Sequence, residues 1–145
     1  MSADDTVVGM FLERARRSPH RVSSWSLGPD GRWEGLTWAE GQEAVVEIGL
    51  GLLELGLRPG DRVAILSGTR RAWTWCDLAA QWMGLVPVGI YPTLPPSRVD
   101  ALLALSGARV LCVDGAQAEK VPELTAPLDA VVAFDPGPER PELGP

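Results

Sequence analysis

The amino-acid sequence predicts an α/β fold, a Rossmann-like parallel sheet with flanking helices, preceded by an N-terminal helix and a β-hairpin. Two observations carry this prediction. Short apolar runs rich in β-branched residues alternate with stretches of helical periodicity, which is the pattern of successive βαβ units. The runs are also apolar at consecutive positions, as expected for strands that helices cover on both faces. The four predicted strands are Arg62–Leu66, Val86–Tyr91, Val110–Val113 and Ala130–Phe134.

A helix is predicted near the N-terminus. Thr6 can cap it, because a threonine side chain accepts a hydrogen bond from a first-turn N–H, and Ser18-Pro19 ends it because proline cannot continue a helix. Between these limits, apolar residues recur at helical spacing: Val8, Phe11, Leu12 and Ala15. One face of this helix is therefore expected to be buried.

The next segment predicts an antiparallel hairpin. Trp25 and Leu27 alternate with serines, which is the period of a half-buried strand. Pro29-Asp30-Gly31 offers a turn, and Trp33 begins the return strand.

A long helix is predicted after this hairpin. Thr37 and Glu40 have the spacing of a capping box, and Gly56 can supply the left-handed residue that ends the helix. The expected buried stripe is Val45, Ile48, Leu52 and Leu55. Gly49-Leu50-Gly51 resembles a dinucleotide loop in composition only, since such a loop must lie between a strand and a helix. Helix packing and capping are the preferred interpretation of these glycines.

The later elements are bounded by glycine and proline. Pro59-Gly60-Asp61 turns into the first parallel strand, and Pro95-Pro96 opens a helix that Gly107 closes. A helix ending at Gly84 carries Trp73, Leu78, Ala79 and Trp82, and the helix after Pro96 carries Val99, Leu102, Leu103 and Leu105. A weaker helical stretch is expected around residues 117–121. Residues 1–135 are thus predicted to be one domain, and the Pro- and Gly-rich residues 136–145 a tail or linker.

Composition excludes several classes of function. The formal net charge is −6, so the chain has no basic field for a nucleic acid or an anionic membrane surface. Cys76 and Cys112 show no metal-ligand spacing and are expected to be buried free thiols in a reducing compartment. The acidic start of the chain does not have the form of a signal peptide, and no apolar run approaches the ~18 residues that would span a bilayer. A cytoplasmic protein is expected.

Ser67-Gly68-Thr69-Arg70-Arg71 is the candidate binding segment, because it follows a predicted strand and precedes a helix. Helix N-termini favour anions, and two arginines add positive charge. The alternative is that Ser67 or Thr69 caps the helix and the arginines are solvated. This alternative is preferred because capping alone explains such residues.

Aromatic residues and the single histidine have structural interpretations as well. Trp73, Trp75 and Trp82 lie on one predicted helix and could form an apolar ligand wall, but core or interface packing is the preferred role for such large side chains. His20 has no neighbouring nucleophile and is expected at the surface.

Phosphoryl or adenylyl chemistry requires a Gly- and Ser/Thr-rich loop with a lysine for the phosphates and a carboxylate for magnesium. Lys120 is the only lysine, and Val121-Pro122 after it forms no such loop. No catalytic, cofactor-binding or metal-binding residue is assigned to this chain.

Several segments, taken together in order, resemble the adenylate-forming superfamily. They are Leu36-Thr37-Trp38-Ala39-Glu40, the run from Leu52 through Gly56-Leu57-Arg58-Pro59-Gly60-Asp61 to Leu66, the helix from Trp73 to Gly84, and Ser106-Gly107-Ala108-Arg109-Val110. Val86-Pro87-Val88-Gly89-Ile90-Tyr91-Pro92-Thr93-Leu94 is most similar to the long-chain fatty acyl-CoA synthetase branch. The resemblance covers about residues 6–135, and it implies that residues 1–135 are a partial N-terminal domain of such an AMP-binding enzyme.

The resemblance implies a two-step reaction for a complete enzyme, in which ATP and a fatty acid give an acyl-adenylate and coenzyme A then displaces AMP. ATP, Mg²⁺ and CoA would be its cofactors, and the missing C-terminal remainder of the enzyme would be the partner of this chain. The family's phosphate loop, which ends in Pro-Lys-Gly, and its later nucleotide motifs are absent from the sequence. The chain alone is therefore expected to be inactive, and no tightly bound ATP, Mg²⁺ or CoA is expected.

Two other hypotheses remain open at this point. The chain could be a stand-alone Rossmann-like binding or interaction module that uses residues 67–71 or an open sheet edge. It could also be a folded remnant without activity. A truncated or split gene and a crop of a longer protein are equally compatible with a sequence that stops at Pro145.

Overall fold

The structure is a computed structural model that describes residues 6–27 and 30–134. Its elements are α1 (Val7–Arg17), β1 (Val22–Leu27), β2 (Trp33–Thr37), α2 (Trp38–Glu54), β3 (Arg62–Leu66), α3 (Arg71–Trp82), β4 (Val86–Ile90), α4 (Pro96–Ser106), β5 (Val110–Val113), a 3₁₀ helix (Ala118–Glu123) and β6 (Ala130–Ala133). The predicted N-terminal helix and hairpin are confirmed. The predicted turn at residues 29–31 lies partly outside the described residues.

The central sheet has four strands in the order β4-β3-β5-β6, and all three neighbouring pairs are parallel. The predicted parallel α/β fold is therefore confirmed. Strands β3 and β5 are buried almost throughout, because helices cover both faces of the sheet. On one face, Leu52 of α2 and Cys76 of α3 pack against Val63 and Ile65. On the other face, the sheet packs against α4 and the 3₁₀ helix.

Local capping signals fix the ends of the first two long helices. The Thr6 side chain accepts a hydrogen bond from Gly9 N at 3.0 Å, as predicted. Thr37 and Glu40 form the predicted capping box, in which Glu40 N donates to Thr37 Oγ1 at 3.3 Å and Thr37 N donates to Glu40 Oε2 at 2.8 Å. Both sequence signals therefore act where they were expected.

The predicted buried stripe of α2 is wrong at its last member. Val45 and Leu52 are buried, but Leu55 is 38% exposed. The helix ends at Glu54, and the chain reverses at Gly56, whose φ is +78°. Because the helical period stops there, the next apolar side chain to reach the core is Leu57.

Three further boundaries differ slightly from prediction. Strand β4 ends at Ile90, so Tyr91 begins the following loop, and β6 ends at Ala133 rather than Phe134. The weak helix expected around residues 117–121 is the 3₁₀ helix Ala118–Glu123. The predicted tail, residues 136–145, lies outside the described residues.

Charged side chains join the connections at the amino edge of the parallel sheet. Arg109, just before β5, contacts Asp61 before β3 and Asp129 before β6, each at 2.6 Å. Arg62 donates to the carbonyl oxygens of Ser106 and Gly107, at 3.1 and 2.7 Å, and so caps the C-terminus of α4. These contacts link the segments that precede β3, β5 and β6 to one another and to the end of α4.

In the described parts of the chain, none of the helices has the length and apolar character needed to cross a membrane.

Candidate functional site

An open cleft of about 530 Å³ lies at the carboxyl edge of the sheet, beside β3 and β4. One wall is the loop 67–70 after β3, the other is the segment 89–92 at the end of β4, and Trp73 and Thr74 of α3 lie between them. Parallel α/β sheets commonly bind ligands at this edge, where the loops after neighbouring strands converge. The cleft is therefore the candidate site.

The first wall is held by Asp114, which directly follows β5. Its Oδ2 accepts a hydrogen bond from Gly68 N at 2.8 Å, and its Oδ1 accepts one from Gln117 N at 2.9 Å. Although burial of the carboxylate works in the opposite direction, hydrogen bonds from Gly68, Ser67 and Gln117, with the charge of Arg70, hold the pKa of Asp114 below its ordinary value. Asp114 is thus a buried anion that fixes the β3 loop.

The second wall depends on a close approach between the β4 strand and α3. A Cβ atom at Gly89 would lie 3.3 Å from Cζ2 of Trp73, which is tighter than ordinary van der Waals contact. The following residue of the wall, Ile90, is buried, whereas Tyr91 is 78% exposed. The small residue at position 89 therefore lets the indole of Trp73 line the cleft.

The preferred interpretation of residues 67–71, helix capping with solvated arginines, is wrong in two respects. The N-cap of α3 is Arg70, and no side chain makes a cap hydrogen bond there. Arg71 reaches back to the hairpin and donates to the carbonyl oxygens of Ser24 and Glu34. Ser67 does not cap α3 because it is buried at the end of β3, where Gly68 N, the next backbone group, donates to Asp114. Anion binding by this segment, the other alternative, is left open by these contacts.

The three tryptophans of α3 have different surroundings. Trp73 packs against the core, as the preferred interpretation predicted, and it also lines the cleft, so a role as a ligand wall stays an untested alternative for it. Trp75 packs against a core cluster that contains Val45, and Trp82 lies against Gly49 of α2. Gly49 is therefore a helix-packing glycine, as predicted.

The cysteines and the histidine lie where they were expected. Cys76 and Cys112 are free and buried in one core cluster. A hydrogen bond with Cys112, and then burial, raise the pKa of the Cys76 thiol, which makes it a poor nucleophile. His20 is exposed.

Sequence reasoning missed Asp114 and the role of Lys120. Lys120 Nζ donates to the carbonyl oxygens of Pro92 and Leu94, the latter at 2.8 Å. The position of Asp114, one residue beyond an apolar strand, was a signal that could have placed it at the carboxyl edge. No comparable signal existed for Lys120.

Asp114 and Lys120, the charged side chains that hold the loops of the cleft, are not placed to bind the triphosphate and Mg²⁺ of an adenylation reaction. Both oxygens of Asp114 accept backbone N–H groups, and the ammonium of Lys120 is occupied by two carbonyls. Within residues 6–27 and 30–134, no three His, Cys, Asp or Glu side chains cluster as a metal site would require. No chemical step is therefore assigned to these residues.

The structure is therefore that of an α/β protein with an open cleft at the carboxyl edge of a parallel sheet, where such folds commonly bind ligands. Comparison with known proteins identifies the family: residues 11–143 match the AMP-binding enzymes, and the chain belongs to that family.

Relatives in this family include acyl-CoA ligases. Over 128 residues, or 88% of its length, the chain is 37% identical to the long-chain-fatty-acid–CoA ligase FadD15 of Mycobacterium bovis, of which it covers 21%. It is 32% identical to fatty acyl-CoA synthetase A of Dictyostelium discoideum, with 76% of this chain and 17% of that protein covered. The chain thus spans about a fifth of the length of these curated relatives.

A solved structure has the same fold. The N-terminal domain of FACL13 from Mycobacterium tuberculosis matches with a TM-score of 0.80 and 23% identity, covering 90% of this chain and 34% of that domain. At this identity the match supports the architecture alone.

Proposed function

We propose that this chain is the scaffold part of an AMP-dependent acyl-CoA synthetase, which converts a fatty acid, ATP and CoA into acyl-CoA, AMP and pyrophosphate. The observation that carries the proposal is the family match over residues 11–143, together with 37% identity to a long-chain ligase. ATP, Mg²⁺ and CoA are then cofactors of the complete enzyme, and the fatty acid is its substrate.

The contribution of the chain is structural in this proposal. Adenylation needs a phosphate loop with a lysine and a carboxylate for magnesium. The single lysine, Lys120, and the buried Asp114 both bind backbone groups of the loops that line the cleft. The catalytic groups would therefore come from the rest of the polypeptide, which is the partner of residues 1–135 in this proposal, and residues 136–145 would lead towards it.

The proposal places the enzyme in the cytoplasm. Two free, buried thiols are the expected state of cysteines in a reducing compartment. The stand-alone binding module has no specific observation in its favour, since the relatives described above are ligases.

A chimera tests the proposal. The chain replaces the matching 128 residues of M. bovis FadD15, and pyrophosphate release is measured with ATP, CoA and palmitate. We expect turnover by the chimera and none by the isolated chain. Unmodified FadD15 is the positive control, and the same ligase lacking the replaced segment is the negative control.

Two outcomes would contradict the proposal. Robust pyrophosphate release by the isolated chain would mean that it holds its own catalytic groups. A chimera that folds, as judged by circular dichroism and a sharp thermal transition, yet has no activity would mean that this chain cannot serve as the scaffold.

A further inference from the structure

We propose that Lys120 is a positioning residue that sets the shape of the cleft by holding the loop 91–94, whose first two residues belong to the second wall. Lys120 Nζ donates to the carbonyl oxygens of Pro92 and Leu94, residues that lie 28 and 26 positions away in sequence. Tyr91 and Pro92 line the cleft directly. An ammonium has three donors and no acceptor, so it can bind two carbonyls of one loop at once.

Lys120 lies in a segment, residues 114–126, that hydrogen bonds hold at both ends. At the beginning of the segment, Asp114 binds both Gly68 N and Gln117 N. At its end, Asp100 of α4 accepts hydrogen bonds from Thr125 N and Ala126 N at 2.6 and 2.7 Å. The 3₁₀ helix between these points therefore has little freedom, and Lys120 can transmit that rigidity to the loop after β4.

Apolar packing also holds the loop after β4 near the 3₁₀ helix, but it does not reach every residue of that loop. Leu94, Ala118 and Val121 pack against one core cluster, so the loop and the 3₁₀ helix meet on that face of the sheet. Tyr91, in contrast, is largely exposed and has no such anchor. Within the loop, Leu94 N donates to Tyr91 O at 3.2 Å. The lysine is thus the polar link that holds the exposed part of the wall.

The segment Asp114–Lys120 braces both walls of the cleft in this arrangement. Asp114 holds the β3 loop through Gly68, and Lys120 holds the β4 loop through Pro92 and Leu94. The distance between the walls then depends on two side chains that come from outside the cleft. The two side chains set the shape of the cleft in this way whatever ligand the cleft receives.

Amide hydrogen exchange on the whole chain tests the proposal. Lys120→Met keeps the aliphatic stem and removes the donors. The exchange rate of the Leu94 amide is expected to rise at least about tenfold, because hydrogen bonds to a charged donor are lost while the loop opens locally. Amides of Ile65 and Leu111, in the buried strands, report global unfolding and should change much less.

Three comparisons make the test specific. Arg98→Met, on the exposed surface of α4, removes the same charge and should leave Leu94 exchange unchanged. Lys120→Arg keeps a cationic donor and should stay within about threefold of the wild-type rate. The ring signals of Tyr91, the only tyrosine, should shift in Lys120→Met and not in Arg98→Met.

The proposal is overturned by either of two results. One is a Leu94 rate in Lys120→Met that equals the rate in Arg98→Met. The other is an equal acceleration of Leu94, Ile65 and Leu111, which would make Lys120 a contributor to global stability only. If Lys120→Met does not fold, Lys120→Gln, which is too short to reach both carbonyls, replaces it in the same comparison.

Discussion

Asp114 offers the sharpest test of how the cleft is held open. Asp114→Ala removes the acceptor of Gly68 N and one of the two acceptors of Gln117 N, which also lies 3.0 Å from the Asp114 carbonyl oxygen. A buried N–H without a partner costs about 1–3 kcal/mol. Because Gln117 keeps its second acceptor, the loss comes mainly from Gly68 N, and we expect the free energy of unfolding to fall by about 1–3 kcal/mol.

Urea unfolding followed by tryptophan fluorescence measures this loss. With an m value of about 2 kcal/mol per M, the urea midpoint should fall by roughly 0.5–1.5 M. Glu119→Ala, an exposed acidic residue on the 3₁₀ helix, is the matched control and should shift the midpoint little. A shift for Asp114→Ala no larger than that of the control would refute the bracing role of the carboxylate.

Asp114 should also make the stability of the chain depend on pH. The pKa of Asp114 is lower in the folded chain than in the unfolded one, so its stabilising contribution is complete above the unfolded value of about 3.9. The contribution is lost as the pH falls through the folded pKa. Wild-type stability should therefore fall more steeply below about pH 4 than that of Asp114→Ala. Parallel curves for the two proteins would contradict this reasoning.

Two other predictions follow from local geometry. Gly89→Val should push the Trp73 indole from its place and lower the free energy of unfolding by about 1–3 kcal/mol, measured by urea unfolding, with Val88→Ile as the control. Hydrogen bonds from Arg16 and Arg17 lower the pKa of Glu13 to about 2, so an NMR titration should place it there; its contribution to stability is complete above about pH 4.5 and is lost as the pH falls towards 2. A Glu13 pKa near 4 would contradict the ion-pair geometry.

Much of the fold follows from short-range signals, and these were readable from the sequence. The caps at Thr6 and Thr37 act within three residues of their own helices, and the strands were marked by continuous apolar runs. Leu55 was misjudged because it lies beyond the end of α2, where helical periodicity no longer determines which side chain is buried.

The candidate site was harder to predict, because its contacts join residues far apart in sequence. Asp114 contacts Gly68 across 46 positions, and Arg71 contacts the hairpin carbonyls across 37 and 47. These pairs have no period and no local motif. The strand order, which places β3 next to β5, brings Asp114 to Gly68, whereas the Arg71 contacts depend on how the separate hairpin packs beside α3.

Different kinds of contact hold the two edges of the parallel sheet. At the amino edge, Arg109 joins Asp61 to Asp129, and Arg62 caps the C-terminus of α4. At the carboxyl edge, Asp114 and Lys120 bind backbone groups of separate loops and hold them apart around a cleft. Neither of these two groups lines the cleft, so a ligand that occupied the cleft would leave intact the hydrogen bonds that hold its loops.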